Sequence, residues 1–233
     1  MINNINRIGK FTSSEIWKLT KKDRSGKGFG QIALTYIEEK KFEKQLGRSL
    51  SVESDARPLQ WGKLNEAKAF ELLGLEYTLT SDKTINHSSL SNWSGSPDGV
   101  KDGVVMDIKC PYTLKSFCQL YECYDKQTLI DYTTSGEAYY WQLVSNAILT
   151  DTNKAELIIY CPYQSELQSI RDNADLEGIK WISYASDDQL PYLIEGSYYK
   201  NIKVISLDIP NEDKQLLEDL TFKASVYLDG NKF

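Results

Sequence analysis

Hydrophobic and polar side chains alternate along residues 104–110, which read VVMDIKC. This run of mostly β-branched and apolar residues favours an extended, half-buried strand. Successive side chains of a strand point to opposite faces. We therefore expect Met106, Ile108 and Cys110 on one face of the sheet and Asp107 and Lys109 on the other. The most strand-like segment of the chain is thus predicted to carry two opposite charges side by side.

An Asp-Gly pair at 102–103 stands immediately before this strand. Asp-Gly fits the positive φ angles of a type I′ turn, so the pair predicts a two-residue hairpin loop. Such a hairpin pairs Lys101 with Val104. Counting outward then sets Asp98 against Asp107, with Cβ atoms about 4.5–5.5 Å apart. Two facing carboxylates repel each other unless a cation such as Mg²⁺ lies between them. The charges either belong to a solvated outer face without function or form a metal site, and both interpretations are open at this point.

The same periodicities predict helices and strands that interleave along the chain. The predicted helices cover residues 12–21, 30–46, 58–74, 113–122, 137–149 and 211–228. The predicted strands lie near residues 76–80, 92–100, 104–110, 155–160, 179–184 and 202–208. The first helix is expected to open on a capping box at residues 12–15, and Gly47, Gly74 and Gly230 are expected to end later ones. This order predicts a single α/β domain over residues 1–233, with a central sheet covered by helices on both faces.

Composition narrows the class of protein. Apolar residues make up 41% of the 233 positions, which is enough for a sizeable core. No apolar run is long enough to span a membrane, and the N-terminus lacks the apolar centre of a signal peptide. Four cysteines without a Cys-x-x-Cys pair are expected to be reduced thiols in a cytoplasmic protein, and an iron–sulfur site is only weakly supported. The single histidine, His87, has no nucleophile elbow beside it, which disfavours a Ser-His-Asp hydrolase and a histidine-based nuclease.

Charge is unevenly distributed along the chain. The net charge is −6, but residues 1–48 contain eleven Lys or Arg and only five acidic residues. A basic segment on an acidic body is the kind of local footprint that suits phosphate groups. A merely solvated basic helix explains the same numbers equally well, so this segment predicts a DNA contact only in combination with other signals.

Two predicted helices carry a polar side chain where packing is expected. Glu66 shares a face with Ala69, Phe70 and Leu73, and a carboxylate on such a stripe is costly unless it is paired or binds a metal. The alternative is that Glu66 lies at the margin of the stripe and reaches solvent. In the helix over 137–149, Gln142 lies among aromatic residues, where an amide serves either as a structural hydrogen-bonding group or as a phosphate contact.

The order of these residues resembles a known class of nucleases. Glu66, then Ser-Pro-Asp-Gly at 96–99, then Asp-Ile-Lys at 107–109 follow the Glu…PD…(D/E)-x-K order of the restriction-endonuclease-like nucleases. Further blocks over residues 7–163, including LQWGKLNEAKAFE, MDIKCPYT and YYWQLVSNAIL, resemble consecutive blocks of the phage lambda exonuclease and YqaJ-type viral recombinase family. The PD and Asp-x-Lys motifs are loose alone, but the blocks together are specific.

The resemblance implies a restriction-endonuclease-like core with a central mixed β-sheet flanked by helices. It implies a Mg²⁺-dependent 5′→3′ exonuclease that degrades one strand of double-stranded DNA from its ends, with two ions and with Mn²⁺ as a substitute. It further implies phage-type recombination by single-strand annealing, with an annealing protein as partner and a ring-shaped trimer as assembly. Such a phage or prophage protein would work in the bacterial cytoplasm. The competing interpretations are a non-catalytic DNA-end-binding protein and a restriction-like endonuclease of the same superfamily.

The resemblance also assigns roles to residues of this chain. The metal-binding acids are Glu66, Asp98 and Asp107, and Lys109 is the catalytic lysine; the backbone carbonyl of Ile108 is a further candidate ligand on chemical grounds. The 5′-phosphate-binding residues are Arg7, Ser14, Ser96 and Gln142. The DNA-binding residues are Arg24 and Lys27 along the duplex and Leu59 as a wedge at its end. The chain departs from the lambda enzyme at Asp107, where that enzyme has glutamate.

Overall fold

The computed structural model describes residues 7–50, 56–73, 78–79 and 84–229. Its α-helices are α1 (Gln31–Leu46), α2 (Arg57–Leu72), α3 (Leu114–Tyr121), α4 (Lys126–Tyr132), α5 (Gly136–Leu149), α6 (Leu167–Leu176), α7 (Lys180–Ser183) and α8 (Asn211–Leu228). Its strands are β1 (Phe11–Thr12), β2 (Thr78–Leu79), β3 (Ile85–Asn86), β4 (Trp93–Gly95), β5 (Gly99–Lys101), β6 (Val104–Lys109), β7 (Lys154–Tyr160) and β8 (Ile202–Asp208). Within these residues no helix has the length and apolar character that crossing a membrane requires.

The main sheet has five strands in the order β2-β5-β6-β7-β8. Strand β6 lies at its centre, antiparallel to β5 and parallel to β7, and β8 returns antiparallel to β7. The predicted hairpin register is confirmed, because Lys101 pairs with Val104 and Gly99 with Met106. The turn is also as predicted, with φ of 47° at Asp102 and 78° at Gly103.

Helices cover both faces of this sheet, and the alternation along β6 follows from that. Val105 belongs to the core that α5 and α8 share with one face. Met106, Ile108 and Cys110 belong to a second core, which α2 and α6 cover on the other face. The prediction of an α/β fold with a central mixed sheet flanked by helices is therefore confirmed.

The predicted helix over 12–21 is wrong in its first half. Phe11 and Thr12 form β1, which pairs in parallel with β4 in a small sheet of order β1-β4-β3. The capping box does not form; a 3₁₀ helix follows over Ile16–Thr20, and Glu15 makes no side-chain cap. Phe11 and its strand partner Trp93 are both fully buried, so tertiary packing outweighs the local capping signal here.

Some other elements also differ from the predictions. Residues 180–183 lie in the strand predicted near 179–184 but form the short helix α7, which begins two residues after Gly178, whose φ is 72°. Helices α4 and α6 were not predicted, although both have sequence signals. The Asp125 carboxylate caps α4 by accepting the Thr128 N–H at 2.8 Å, and α6 buries Leu167, Ile170 and Ala174 on one face.

The strand predicted near 92–100 is wrong as a single element, because Trp93–Gly95 forms β4 of the small sheet and Gly99–Lys101 forms β5 of the main sheet. Pro97 lies between them and has no N–H to donate to a strand ladder. The other predicted elements lie close to their observed bounds. Helix α1 ends at Gly47 with φ of 67°, as predicted. Gly74, Gly230 and most of the strand predicted near 76–80 lie outside the described residues. The four cysteines are free thiols. His87 directly follows β3, and its ring stacks on Trp93 at a centroid distance of 4.8 Å.

Candidate active site

The central strand places Asp107 and Lys109 on the face that α5 covers. Asp107 is only 1% exposed, and its Oδ2 lies 2.6 Å from Nζ of Lys109. The contact between this buried oxygen and the Lys109 ammonium is a close ion pair. The predicted pairing of opposite charges on one strand face is present, and it is buried rather than solvated.

Gln142 of α5 completes a ring with these two side chains. Its Nε2 donates to Oδ1 of Asp107 at 2.6 Å, and its Oε1 accepts from Nζ of Lys109 at 3.2 Å. A carboxylate only accepts hydrogen bonds and an ammonium only donates them, so the opposite orientation of the amide would create two repulsive contacts. Helix α5 thus fixes the relative position of Asp107 and Lys109.

Asp98 reaches this group from the start of the hairpin. Its Oδ2 accepts the backbone N–H of Ile108 at 2.6 Å. Burial and then the negative charge of Asp107 raise the pKa of Asp98 to about 8, although Lys109 and the Ile108 N–H act in the opposite direction. The negative charge of Asp98 is therefore disfavoured first by burial and then by a neighbouring carboxylate.

Glu66 approaches the same charges from α2, which packs against β6. Burial raises the pKa of Glu66, and the charges of Lys109 and Asp107 act on it in opposite directions. The structure therefore brings Glu66, Asp98, Asp107 and Lys109 together, as their sequence order predicted. We call these four residues the acid–lysine cluster. Their catalytic roles stay predictions.

Lys109 is held in its charged form. Burial would lower the pKa of its ammonium, but the Asp107 and Asp98 carboxylates together outweigh burial and raise it. The ammonium also lies 5.2 Å from the centre of the Tyr139 ring, a neighbour to which the sequence analysis gave no role. Tyr139 is three residues before Gln142 in the same helix, and helical spacing is the signal that would have placed both beside Lys109.

The donor set of the cluster suits a hard divalent cation. Carboxylate and carbonyl oxygens are the ligands that Mg²⁺ prefers. Burial first, and then the charge of Asp107, disfavour the charged form of Asp98, and a cation would offset both. The geometry of the site fits a metal less well than its chemistry does, because within the described ranges no three His, Cys, Asp or Glu groups converge as metal ligands. Instead of a metal ligand set, the structure has the ammonium of Lys109 in contact with Oδ2 of Asp107. The residues therefore fit a metal in chemistry, and a cation at Oδ2 of Asp107 would compete with Lys109.

The segments that carry the predicted phosphate-binding residues also meet. The Ser13 N–H donates to the Ser94 carbonyl at 3.1 Å, and the Ser13 and Ser145 hydroxyls lie 2.8 Å apart. This buried serine layer, which the sequence analysis missed, joins the end of β1, the end of β4 and helix α5. At Gly95 a Cβ atom would stand 2.0 Å from Oγ of Ser13, so only glycine allows the three segments to approach so closely.

Three of the four predicted phosphate contacts lie next to this layer. Ser14 directly follows Ser13 and is exposed, whereas Ser96 directly follows Gly95 and is half-buried. Gln142 lies about one helical turn before Ser145 in α5. The structure therefore brings Ser14, Ser96 and Gln142 into one region beside the acid–lysine cluster.

Arg7, the fourth predicted phosphate contact, lies in a turn that is hydrogen-bonded to a side chain of α1. The Lys10 N–H donates to the Arg7 carbonyl at 3.2 Å, and the Gly9 N–H donates to the Glu43 carboxylate at 3.1 Å. Gly9 has φ of 66°, and a Cβ atom there would lie 2.9 Å from Cβ of Lys44. Glu43 was not singled out in the sequence; its spacing of three residues from Lys40 is the only local sign of their ion pair.

The predicted DNA-binding residues lie on the surface. Arg24 and Lys27 are exposed in the loop between Lys22 and Phe29, which pair in a single β-bridge. Leu59 is 45% exposed in the first turn of α2, about two turns before Glu66 in the same helix. Their roles stay predictions.

Comparisons with known proteins find relatives through structure alone. No protein-family model matches the sequence, and no curated protein matches it either. A phage-related exonuclease from Haemophilus somnus 129PT matches with a TM-score of 0.67 and 18% identity, covering 98% of this chain and 97% of that one. The alkaline exonuclease LHK-Exo from Laribacter hongkongensis matches with a TM-score of 0.60 and 16% identity, covering 96% and 89%. A structure of LHK-Exo with dAMP matches with a TM-score of 0.60 and 17% identity, covering 97% and 90%. The expected resemblance to phage-type exonucleases is therefore confirmed at the level of the fold.

Proposed function

We propose that this protein is a metal-dependent exonuclease that degrades one strand of double-stranded DNA from its 5′ end. The observation that carries the proposal is the acid–lysine cluster, in which a buried aspartate and a lysine share one face of the central strand. The fold supports the proposal, because solved structures of two exonucleases have it over nearly the whole chain. A third solved structure, of LHK-Exo, is a complex with dAMP, a nucleotide with a 5′ phosphate.

The residues that would hold the metal are Asp98, Asp107 and Glu66, with the backbone carbonyl of Ile108. Bound Mg²⁺, or Mn²⁺ in its place, would stabilise the charge that develops on the attacking and leaving oxygens, and two ions are expected. Lys109 would leave Asp107, orient the attacking water and offset the charge of the scissile phosphate. Its raised pKa keeps it protonated in the metal-free protein, where it is a donor and a positive charge. Metal binding would lower this pKa and allow Lys109 to help deprotonate the water.

End recognition would come from the 5′-phosphate-binding residues. Arg7 offers a planar guanidinium that can hold a terminal phosphate by two hydrogen bonds. Ser14, Ser96 and Gln142 would add hydroxyl and amide donors from the region beside the serine layer. Arg24 and Lys27 would follow the duplex backbone or groove, and Leu59 would separate the two strands at the end.

The biological setting extends the same proposal. The exonuclease would supply single strands for phage-type recombination, together with a single-strand annealing protein. It would encircle its DNA as a ring-shaped homotrimer and act in the cytoplasm of a bacterial host that carries the phage or prophage. A restriction-like endonuclease and a non-catalytic DNA-end-binding protein remain the alternatives that an activity assay separates.

The test is digestion of a linear duplex with a 5′ phosphate, the same duplex with a 5′ hydroxyl, and closed circular DNA. Each substrate is incubated with Mg²⁺ or with EDTA. We expect Mg²⁺-dependent loss of one strand of the linear duplexes, faster from the phosphorylated end, and no cleavage of the circle. Cleavage of the circle would identify an endonuclease, and binding of ends without any cleavage would identify a non-catalytic protein.

A further inference from the structure

Gln142 touches both functional side chains of the central strand at once. Its amide N–H donates to Oδ1 of Asp107, and its carbonyl accepts from Lys109. With the ion pair between Lys109 and Oδ2, both carboxylate oxygens of Asp107 have a close partner. Both partners draw on the negative charge of this carboxylate, so each of them competes with a divalent cation for Asp107.

The position of Gln142 links this ring to the region of the predicted phosphate contacts. Gln142 lies on α5 about one turn before Ser145, whose hydroxyl is 2.8 Å from that of Ser13. Helix α5 also packs against β4, whose last residue precedes Ser96. Helix α5 therefore carries the amide that contacts Asp107 and, about one turn later, the serine that contacts the segment just before Ser14.

The two sets of contacts compete for one donor group. A terminal phosphate carries more negative charge than a carboxylate and has three acceptor oxygens, so it attracts an amide N–H strongly. When the N–H of Gln142 turns to a phosphate, Oδ1 of Asp107 loses its only hydrogen-bond donor among the described residues. An anionic oxygen without a donor then binds a divalent cation more readily.

We propose that Gln142 is a positioning residue that couples recognition of a terminal phosphate to metal binding at Asp107. This inference deepens the proposed exonuclease function and rests on it. In the absence of phosphate the amide holds Asp107 and Lys109 in a closed ring that disfavours the metal. Phosphate binding opens the ring, and the metal then binds more tightly. Because such coupling is reciprocal, bound metal also tightens phosphate binding.

The experiment measures Mg²⁺ binding by calorimetry, with dAMP as a mimic of the terminal phosphate and deoxyadenosine as its matched control. In the wild type we expect saturating dAMP to tighten Mg²⁺ binding about fivefold or more, and deoxyadenosine to leave it unchanged. A metal that contacted the phosphate directly would give the same result, so variants of Gln142 are needed to separate the two explanations.

The decisive variant is Gln142→Ala, with Gln142→Leu as a second one that keeps more of the side-chain volume. We expect both to bind Mg²⁺ alone several-fold more tightly than the wild type, because Oδ1 is released, and to lose most of the effect of dAMP. A variant that merely damaged the fold would bind Mg²⁺ more weakly. Ser96→Ala is the pocket control, and it should weaken dAMP binding.

The outcomes separate the inference from the function on which it rests. Unchanged or weaker binding of Mg²⁺ alone by Gln142→Ala and Gln142→Leu, in a wild type that binds Mg²⁺ and cleaves DNA, overturns the coupling and leaves the exonuclease intact. A wild type that binds no Mg²⁺ with or without dAMP overturns both.

Discussion

Two buried pairs of acid and lysine in this chain have opposite electrostatic surroundings. On α1, Nζ of Lys40 lies 3.0 Å from Oε2 of Glu43, which is 4% exposed. On β6, Nζ of Lys109 lies 2.6 Å from Oδ2 of Asp107, which is 1% exposed. Distance and burial alone do not distinguish the two pairs.

The groups that surround each ion pair distinguish the two pairs. Besides Lys40, the Glu43 carboxylate accepts the backbone N–H groups of Gly9 and Leu50. Burial would raise the pKa of Glu43, but Lys40 and these donors outweigh it and lower the pKa. Around Asp107 lie two further acids instead, and the pKa of Asp98 is raised to about 8. A satisfied buried pair fastens the chain, whereas uncompensated negative charge beside a lysine marks a candidate catalytic site.

The largest expected effect is on catalysis. Asp107→Asn removes a ligand charge without changing the shape of the side chain, and a metal contributes several kcal/mol to such a reaction. We expect cleavage to fall about ten-thousandfold while DNA binding remains. The measurement is the single-turnover rate on a 5′-phosphorylated duplex. Asp102→Asn removes the same charge from the exposed turn of the hairpin and keeps the turn as Asn-Gly, so it should cleave like the wild type. An equal loss of cleavage in both variants would show that the total charge of the hairpin, and not a metal ligand at Asp107, controls the rate.

The second-largest expected effect is on stability, and it concerns the ion pair of Lys40 and Glu43. Glu43→Gln leaves Lys40 buried without its counter-charge, which costs about 3–5 kcal/mol of unfolding free energy. Urea denaturation measures it, and the double variant Lys40→Met/Glu43→Leu should recover most of the loss. Because the pKa of Glu43 is lowered in the folded state, its contribution should be present above about pH 4 and be lost at lower pH as Glu43 protonates. A Glu43→Gln variant with wild-type stability at pH 7 would remove the contrast between the pairs.

Lys109→Ala should affect the chemical step and leave binding intact. We expect kcat to fall about a hundredfold with little change in KM for DNA, and Mg²⁺ to bind at least as tightly as in the wild type because Oδ2 of Asp107 is released. Steady-state kinetics at saturating DNA gives the comparison, and Lys154→Ala, an exposed lysine on the neighbouring strand β7, is the control. Activity within a few-fold of the wild type would make Lys109 a structural residue, like Lys40.

A smaller effect is expected on the stability of the metal-free protein. Asp98→Asn removes like-charge repulsion within the cluster and keeps an oxygen that can accept the Ile108 N–H. In EDTA we expect the variant to be more stable than the wild type by about 1 kcal/mol at pH 9. The gain should shrink towards pH 5, because the raised pKa of Asp98 leaves it increasingly protonated as the pH falls below about 8. A gain that is absent at pH 9, or one that grows towards pH 5, would contradict uncompensated charge in the cluster.

Elements that depend on local contacts could be predicted from the sequence, whereas those that depend on distant contacts could not. The hairpin at 99–106 and helix α1 follow from local signals, namely an Asp-Gly turn and a glycine cap. Strand β1 could not be predicted, because its pairing with β4 joins positions about eighty residues apart in the chain. The acid–lysine cluster was predicted from motif order, but the ring through Gln142 joins residues whose sequence separation is 35, and no local pattern encodes it.

The smallest expected effect tests end recognition. Arg7→Ala should erase most of the faster digestion of 5′-phosphorylated over 5′-hydroxyl duplexes, and it should leave the acid–lysine cluster unchanged. Arg24→Ala should instead shorten digestion runs on long duplexes and reduce the salt dependence of binding, as expected for a backbone contact. Matched duplexes that differ only in the 5′ group provide the comparison. Persistence of the preference in Arg7→Ala would show that the phosphate pocket is misassigned.

The most direct test of the central claim is the Mg²⁺-dependent shift in melting temperature of the wild type and of Asp107→Asn. A ligand that binds only the folded state stabilises it, so Mg²⁺ should raise the melting temperature of the wild type. The account predicts little or no such rise in Asp107→Asn, together with a metal-free melting temperature at or above that of the wild type. Equal stabilisation of both proteins by Mg²⁺ would contradict the assignment of Asp107 as a metal ligand, and with it the claim that the buried acid–lysine cluster is the catalytic centre.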